Sequence, residues 1–171
     1  MIAKARTGHR THTVVDSPVG PLTLVALDGV LSGLHMEGQR HRPPEESFGD
    51  LDDTAFDDVS EQLAAYFAGL RTTFDLPMRL VGTPFQQRVW AALREIPHGE
   101  TISYGELAER IGQPAAVRAV GLANGRNPIG IIVPCHRVVG ATGSLVGYGG
   151  GLDRKRHLLA FERQVSGSTL F

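Results

Sequence analysis

Apolar residues alternate with polar ones at Leu22, Leu24 and, less cleanly, Ala26. Asp28-Gly29 follows, and a second short apolar run covers residues 30–36. Two strand-like runs joined by Asp-Gly predict a β-hairpin. Residues 39–53 are polar and acidic, carry Pro43-Pro44, and predict a solvated loop. Phe56, Val59, Leu63 and Tyr66-Phe67 then recur at helical spacing, with Gly69 placed to end the helix. Phe74, Leu76, Met78 and Leu80 alternate again and predict a further strand. Nothing in this half looks catalytic. The acidic run over 50–58 reads as a solvated approach to the helix rather than a metal site.

The second half is more helical and more punctuated. Thr83-Pro84 places an N-cap before a proline at the first helical position. Phe85, Val89, Leu93 and Ile96 line one face of that helix, and Pro97 with Gly99 stops it. Ser103-Tyr104-Gly105-Glu106 reads as a capping box for a short helix with Leu107 and Ile111 on its apolar side, ended by Gly112. Pro114 is expected to open the next helix, which runs to Asn124. Two short helices across a tight glycine-containing turn suggest a helix-turn-helix. The second of them is rich in small residues (Ala115, Ala116, Ala119, Gly121, Ala123), and its clear cation is Arg118. A major-groove reader usually carries several long polar side chains. Small residues suit either close packing inside the domain or close approach to a narrow groove; spacing alone favours the former.

Composition narrows the class. The 171 residues are 42% hydrophobic and 20% charged, a globular balance for one domain or two small ones. No apolar run is long enough to span a bilayer, and Met1 to His12 is basic and polar, without the apolar core of a secretory signal. A single cysteine, Cys135, excludes an internal disulfide framework and a multi-cysteine zinc site, and points to a reducing, cytoplasmic setting. The net charge of −1 looks unfavourable for a nucleic-acid partner. It divides unevenly, however. Residues 1–83 hold 7 Lys and Arg against 12 Asp and Glu, and residues 84–171 hold 10 against 6, so the halves carry −5 and +4. Such asymmetry suggests two modules with different tasks.

The candidate chemistry sits in the positive half. The apolar run over 129–133 ends at Pro134, and Cys135, His136 and Arg137 follow at once. A lone cysteine is commonly a small buried hydrophobe, but adjacent His and Arg suit an electropositive site that favours the nucleophilic thiolate. Pro134-Cys135-His136-Arg137 resembles the active-site signature of the O6-alkylguanine-DNA alkyltransferases. The resemblance extends over Phe85-Gln86-Gln87-Arg88-Val89-Trp90, Ser103-Tyr104-Gly105-Glu106-Leu107-Ala108, Arg118-Ala119-Val120-Gly121, Asn127-Pro128 and Gly147-Tyr148-Gly149-Gly150-Gly151-Leu152. Asp16-Ser17-Pro18-Val19-Gly20-Pro21-Leu22 looks like that family's opening strand region, so the likeness runs from about residue 14 to 162.

The resemblance implies an α+β protein. Residues 1–80 would form a ribonuclease-H-like α/β domain, and residues 83–171 a mostly helical, winged-helix-like helix-turn-helix domain that binds DNA and transfers the alkyl group. Cys135 would accept the alkyl group from O6-alkylguanine in double-stranded DNA, with O4-alkylthymine as a further candidate. His136 would draw off the thiol proton through a water, and Glu162 would orient that histidine. Tyr104 would sit near the guanine O6 and crowd a phosphate. Arg118 would fill the gap left by the flipped nucleotide, with Ala116, Ala119 and Asn124 also facing DNA. Asn127 would tie the reading helix to the cysteine loop. Tyr148, Gly149, Val138 and Gly130 would line the base pocket.

No cofactor or metal is implied, because the acceptor is the protein itself and is consumed in one turnover. The partner would be DNA and not a membrane, the protein a monomer, with cooperative loading on DNA left open. Lys155 and the arginines near it read as solvent or phosphate contacts. His9, His12, His35, His41, His98 and His157 show no partner pattern. Two departures stand out: Gly130 occupies a position where relatives often carry proline, and Gly149 one where some carry serine, so a roomier pocket is expected. Neither the zinc site that some relatives build from N-terminal cysteines nor the separate phosphotriester-repair domain of some fused relatives is expected here. The competing readings are a lesion binder without alkyl transfer, against which Cys135 speaks, and a helix-turn-helix regulator with a structural or redox-sensing cysteine.

Overall fold

The computed structural model of the chain describes residues 8–167. Of the basic N-terminal stretch, residues 1–7 lie outside the described residues. Strands β1 (Arg10–Val15), β2 (Leu22–Leu27), β3 (Val30–Met36) and the short β4 (Asp50–Leu51) form one sheet in the order β3-β2-β1-β4. The first three strands are antiparallel neighbours, and β4 adds to β1 in parallel. The predicted hairpin is β2–β3. Leu27 pairs with Val30 around Asp28 (φ 52°) and Gly29 (φ 83°), positive values at both central positions as a type I′ turn requires. β2 is buried along its whole length rather than on alternate residues. Leu22, Leu24 and Ala26 face the main core, while Val25 and Leu27 line a separate cleft together with Phe48. Polar β1, with its Arg-Thr-His-Thr start, gives too little apolar signal to be read from pattern, and the Asp16–Leu22 motif proves to be mainly the turn leading into β2.

The alternating residues Phe74 to Leu80 do not form a strand. Among the described residues, their only ladder contact is a bridge between Met78 and Leu31, where Arg79 N–H donates to the Leu31 carbonyl at 2.8 Å. The reason is competition for the edge of β3. Farther along that edge, Leu34 N–H donates to Pro128 O at 2.9 Å, and Gly130 N–H donates to Leu34 O at 3.4 Å. Pro77 also has no N–H to offer. The segment leading to the cysteine is thereby fastened to the N-terminal sheet.

Helix α1 (Asp57–Phe67) buries Val59, Leu63 and Tyr66, and Gly69 follows it at φ 76°. Helix α2 (Pro84–Leu93) starts with a full capping box. The Thr83 hydroxyl accepts from Gln86 N–H, and the Gln86 side chain accepts from Thr83 N–H. Ile96 is buried beyond its end rather than within it. After β5 (Ile102–Ser103) comes α3 (Tyr104–Arg110), where only half of the expected capping box forms. Ser103 caps Glu106 N–H, but the Glu106 carboxylate turns to Arg110 at 3.0 Å. Helix α4 (Val117–Gly125) starts three residues later than Pro114, which opens a turn. α4 buries Val120, Ala123 and Asn124, and Trp90 of α2 donates its indole N–H to Ala123 O at 2.9 Å. Val117, Arg118, Ala119 and Leu122 stay exposed, so the small residues serve close packing on one side and an open helix face on the other. A 3₁₀ turn (Cys135–Arg137) leads into β6 (Val138–Val139), which pairs in parallel with β5, and α5 (Leu152–Gly167) closes the chain. Among the described residues, no helix is long and apolar enough to cross a membrane.

Candidate active site

Cys135 lies at the N-terminus of the 3₁₀ turn, almost buried, on the floor of a cleft of about 260 Å³. Tyr104 of α3, Asn124 of α4 and Tyr148 and Gly149 of the glycine-rich loop share that cleft, as do Arg40 and His41 from the loop after β3. The approach to the cysteine is an apolar run with Ile129, Ile131 and Val133 fully buried. Ile131 takes φ 68°, a left-handed conformation that a β-branched residue adopts at a cost of about 1–3 kcal/mol. Asn127 holds the run in shape. Its amide donates to Val133 O at 2.8 Å, and its carbonyl accepts from Ile129 N–H at 3.0 Å. Burial pushes the Cys135 thiol above its usual pKa; the Asn127 side chain and the positive charge of Lys155 act in the opposite direction.

Behind the thiol is a buried polar cluster centred on Glu162. His136 is fully buried, and its Nε2 lies 2.8 Å from Glu162 Oε2. Arg137 donates from Nε to Oε1 at 2.8 Å and from Nη2 to Oε2 at 2.9 Å, with Nη1 on the Ile96 carbonyl at 2.6 Å. Tyr66 donates its hydroxyl to Oε2 at 2.6 Å. Burial opposes ionisation of Glu162, but the hydrogen bonds and charges of His136 and Arg137 outweigh it and hold the carboxyl far below the usual range. Burial lowers the pKa of His136 despite the facing carboxylate, so the ring is neutral at neutral pH. With Nε2 turned to Glu162, Nδ1 is buried without a partner among the described residues and is the atom free to take a proton.

Several expected site residues are relocated. Arg137 does not face the thiol, because its guanidinium is spent on Glu162 and Ile96. The electropositive neighbour is Lys155, which is not a solvent contact but fully buried. Its Nζ donates to Val138 O at 2.6 Å, Val146 O at 3.0 Å and Gly147 O at 3.1 Å, and burial brings its pKa down to about 8. Val138 is not a pocket wall: its side chain is core within β6, and only its carbonyl serves the site. Asn124 is not on the exposed face of α4. It is buried and donates from Nδ2 to Cys135 O at 3.4 Å, which makes it pocket floor rather than DNA surface. Tyr104 donates its hydroxyl to Val146 O at 3.1 Å, and Lys155 Nζ lies 5.9 Å from the centre of its ring. Arg118 and Ala119 are exposed and Ala116 is partly so, on the open side of α4. At Gly149 an added Cβ would meet Arg40 O at 3.6 Å and Gly125 O at 4.0 Å, and at Gly130 Leu34 O at 3.8 Å, all ordinary contacts, so both positions leave room in the cleft.

Sequence reasoning gives Tyr66 and His98 no role in the site and places Lys155 against solvent or phosphate. Lys155 and Glu162 were legible, since both fall on the apolar stripe of α5 with Leu158 and Leu159 at helical spacing. A charge in such a stripe is a buried charge with a partner. Tyr66 offered no signal beyond its place on the α1 face. His98 packs edge-on against Tyr66 at 5.9 Å and places Nδ1 2.7 Å from Ser166 Oγ.

Fold and site together define a class: a small sheet domain backing a helix-turn-helix domain that presents one pocketed thiol beside the second helix of the pair. The comparisons sharpen this. The family model described as 6-O-methylguanine DNA methyltransferase, ribonuclease-like domain, matches residues 11–80, and that described as 6-O-methylguanine DNA methyltransferase, DNA binding domain, matches residues 84–164. The chain belongs to the 6-O-methylguanine DNA methyltransferase family. It is 57% identical over 159 residues to the methylated-DNA–protein-cysteine methyltransferase of Mycolicibacterium paratuberculosis, covering 93% of this chain and 96% of that one. The crystal structure of the Mycobacterium tuberculosis relative in complex with DNA is 55% identical, with a TM-score of 0.85, over 91% of this chain and 94% of that one. A structure of the Methanococcus jannaschii O6-methylguanine DNA methyltransferase, 28% identical, matches with a TM-score of 0.60 over 88% of this chain and 92% of that one.

Proposed function

We propose that the protein reverses DNA alkylation directly, moving the alkyl group of O6-alkylguanine in double-stranded DNA onto Cys135 in a single turnover. The observation that carries this reading is the placement of the chain's sole cysteine on the cleft floor, next to a His136–Glu162 pair whose free ring nitrogen is Nδ1. An alkyl carbon inside a duplex is out of reach of a protein nucleophile, so the nucleotide must leave the stack. Arg118, exposed on α4, fills the gap it leaves, and Ala116 and Ala119 let the helix approach a narrow groove. His136 Nδ1 takes the Cys135 proton through a bridging water. The thiolate then attacks the alkyl carbon, a C–S bond forms, and the C–O bond breaks with its electron pair going to guanine. Tyr104 neutralises the departing base by donating its hydroxyl proton and recovers one from solvent, to which His136 gives up the proton it took from the thiol. Asn127 keeps the cysteine loop fastened to α4, and Tyr148 with Gly149 and Gly130 shapes the base pocket.

A thioether offers no hydrolytic release, so the product protein is spent. The reaction uses no cofactor and suits a reducing cytoplasm, where the thiol stays free. The protein works as a monomer, and the open positions at Gly130 and Gly149 widen the range of alkyl groups accepted, with O4-alkylthymine a second substrate to test. Mixing the protein with a tenfold excess of O6-methylguanine duplex tests the stoichiometry. One methyl transferred per protein is expected; continued turnover overturns the single-use reading.

A further inference from the structure

Tyr66 belongs to α1, in the N-terminal half, yet its hydroxyl reaches the centre of the buried cluster in the other half. Its ring is fully buried among Phe67, Phe74, His98 and Phe161. That packing needs no hydroxyl, and a phenylalanine would satisfy it. The hydroxyl instead donates at 2.6 Å to Glu162 Oε2, the same oxygen that His136 Nε2 approaches at 2.8 Å and Arg137 Nη2 at 2.9 Å. The other oxygen, Oε1, accepts from Arg137 Nε at 2.8 Å and Gly99 N–H at 3.5 Å. Three donors thus share one carboxylate oxygen, and each draws off negative charge that the others would use.

We propose that Tyr66 is a positioning residue of the thiol relay supplied by the N-terminal domain: its hydroxyl fixes Glu162 and limits how strongly that carboxylate pulls on His136. The inference rests on the relay described above, in which neutral His136 takes the Cys135 proton. If Glu162 held His136 too strongly, the ring would be protonated and useless as a base. Burial does most to keep His136 neutral, and Tyr66 and Arg137 add to it by keeping the carboxylate partly satisfied. The other charged or titratable groups facing this cluster are His98, from the loop after α2 and bonded to Ser166, Tyr148 of the glycine-rich loop, and Lys155 of α5, whose charge also disfavours protonated His136. None of the three touches Glu162 Oε2 within the hydrogen bonds of the cluster, so the Tyr66 contribution is separable from theirs.

The test is Tyr66→Phe in the full chain, with the rate of methyl transfer from O6-methylguanine duplex measured in a single turnover across pH. Loss of one donor strengthens the His136–Glu162 bond and favours protonated His136. The acid limb of the profile therefore moves to higher pH, by about 0.5, and the rate below the limb falls about threefold, while the plateau stays within about twofold of wild type. The His136 Nε2 proton resonance moves downfield in the same variant. Phe161→Leu is the packing control, expected to lower thermal stability without moving the limb or the resonance. Tyr66→Phe with the wild-type limb and resonance would overturn the proposal. If the unmodified protein transfers no methyl group, the functional reading falls instead, and the resonance alone still decides whether Tyr66 sets the His136–Glu162 bond.

Discussion

Replacing Glu162 by glutamine tests the buried cluster with the least change of shape. The wild-type carboxylate accepts from His136, twice from Arg137 and from Tyr66, all between 2.6 and 2.9 Å. An amide supplies one acceptor oxygen and directs two N–H groups at these donors. Arg137, itself buried, is left with an uncompensated charge. Breaking a buried pair by removing one partner costs about 3–5 kcal/mol. For a chain of this size each kcal/mol moves Tm by about 2–4 °C, so a fall of about 6–20 °C is expected at pH 7. The pH dependence gives a second check. The Glu162 carboxyl is held below its unfolded value, so its contribution is complete above about pH 4.3 and is lost as the pH falls from there toward the folded pKa. The gap between wild type and variant should therefore be full at pH 7 and shrink below about pH 4. Urea unfolding at both pH values measures it. A variant within about 1 kcal/mol of wild type at pH 7, or a gap that widens in acid, would refute the reasoning.

Other perturbations give distinct outcomes. Asn127→Ala removes the bonds to Val133 O and Ile129 N–H, and should cost about 1–3 kcal/mol in urea unfolding while slowing methyl transfer. Lys155→Met leaves three carbonyls without their donor and removes the cation near the thiol, which raises the thiol pKa further. Transfer should slow at pH 7 and recover in part as the pH is raised, as followed in single-turnover assays. Gly149→Ser meets only ordinary contacts, so thermal stability should hold, while transfer from O6-benzylguanine falls by about tenfold more than transfer from O6-methylguanine. Arg118→Ala should weaken repair in duplex DNA far more than reaction with a free base analogue, and equal losses on both would remove Arg118 from its assigned place.

The sequence made most of the local structure legible, and tertiary competition accounts for the failures. The Asp28-Gly29 hairpin, the α1 face and the Thr83-Pro84 start of α2 are short-range features, readable because the residues that determine them are neighbours. Phe74 to Leu80 has the alternation of a strand, but the 128–130 segment occupies much of the edge it would need, and no local pattern reveals that. The site divides in the same way. Cys135, His136 and Asn127 stand close together in sequence, while the partners that complete them arrive from α1 and α5. Arg137 beside Cys135 suggests a thiolate partner, yet the 3₁₀ turn sends it to Glu162, and the thiol's cation comes from Lys155, twenty residues onward. Net charge misled for a related reason: it sums an acidic half with a basic one. With only a modest excess of cations in that half, binding to undamaged duplex should show a shallow dependence on salt.

Every role proposed for the cleft depends on Cys135 being the alkyl acceptor. The most direct measurement is the intact mass of the protein after incubation with duplex DNA containing O6-methylguanine, followed by peptide mapping. A gain of one methylene equivalent is expected, located on Cys135 and absent from Cys135→Ser. An unchanged mass with DNA binding retained, or a methyl group found on any other residue, would contradict it.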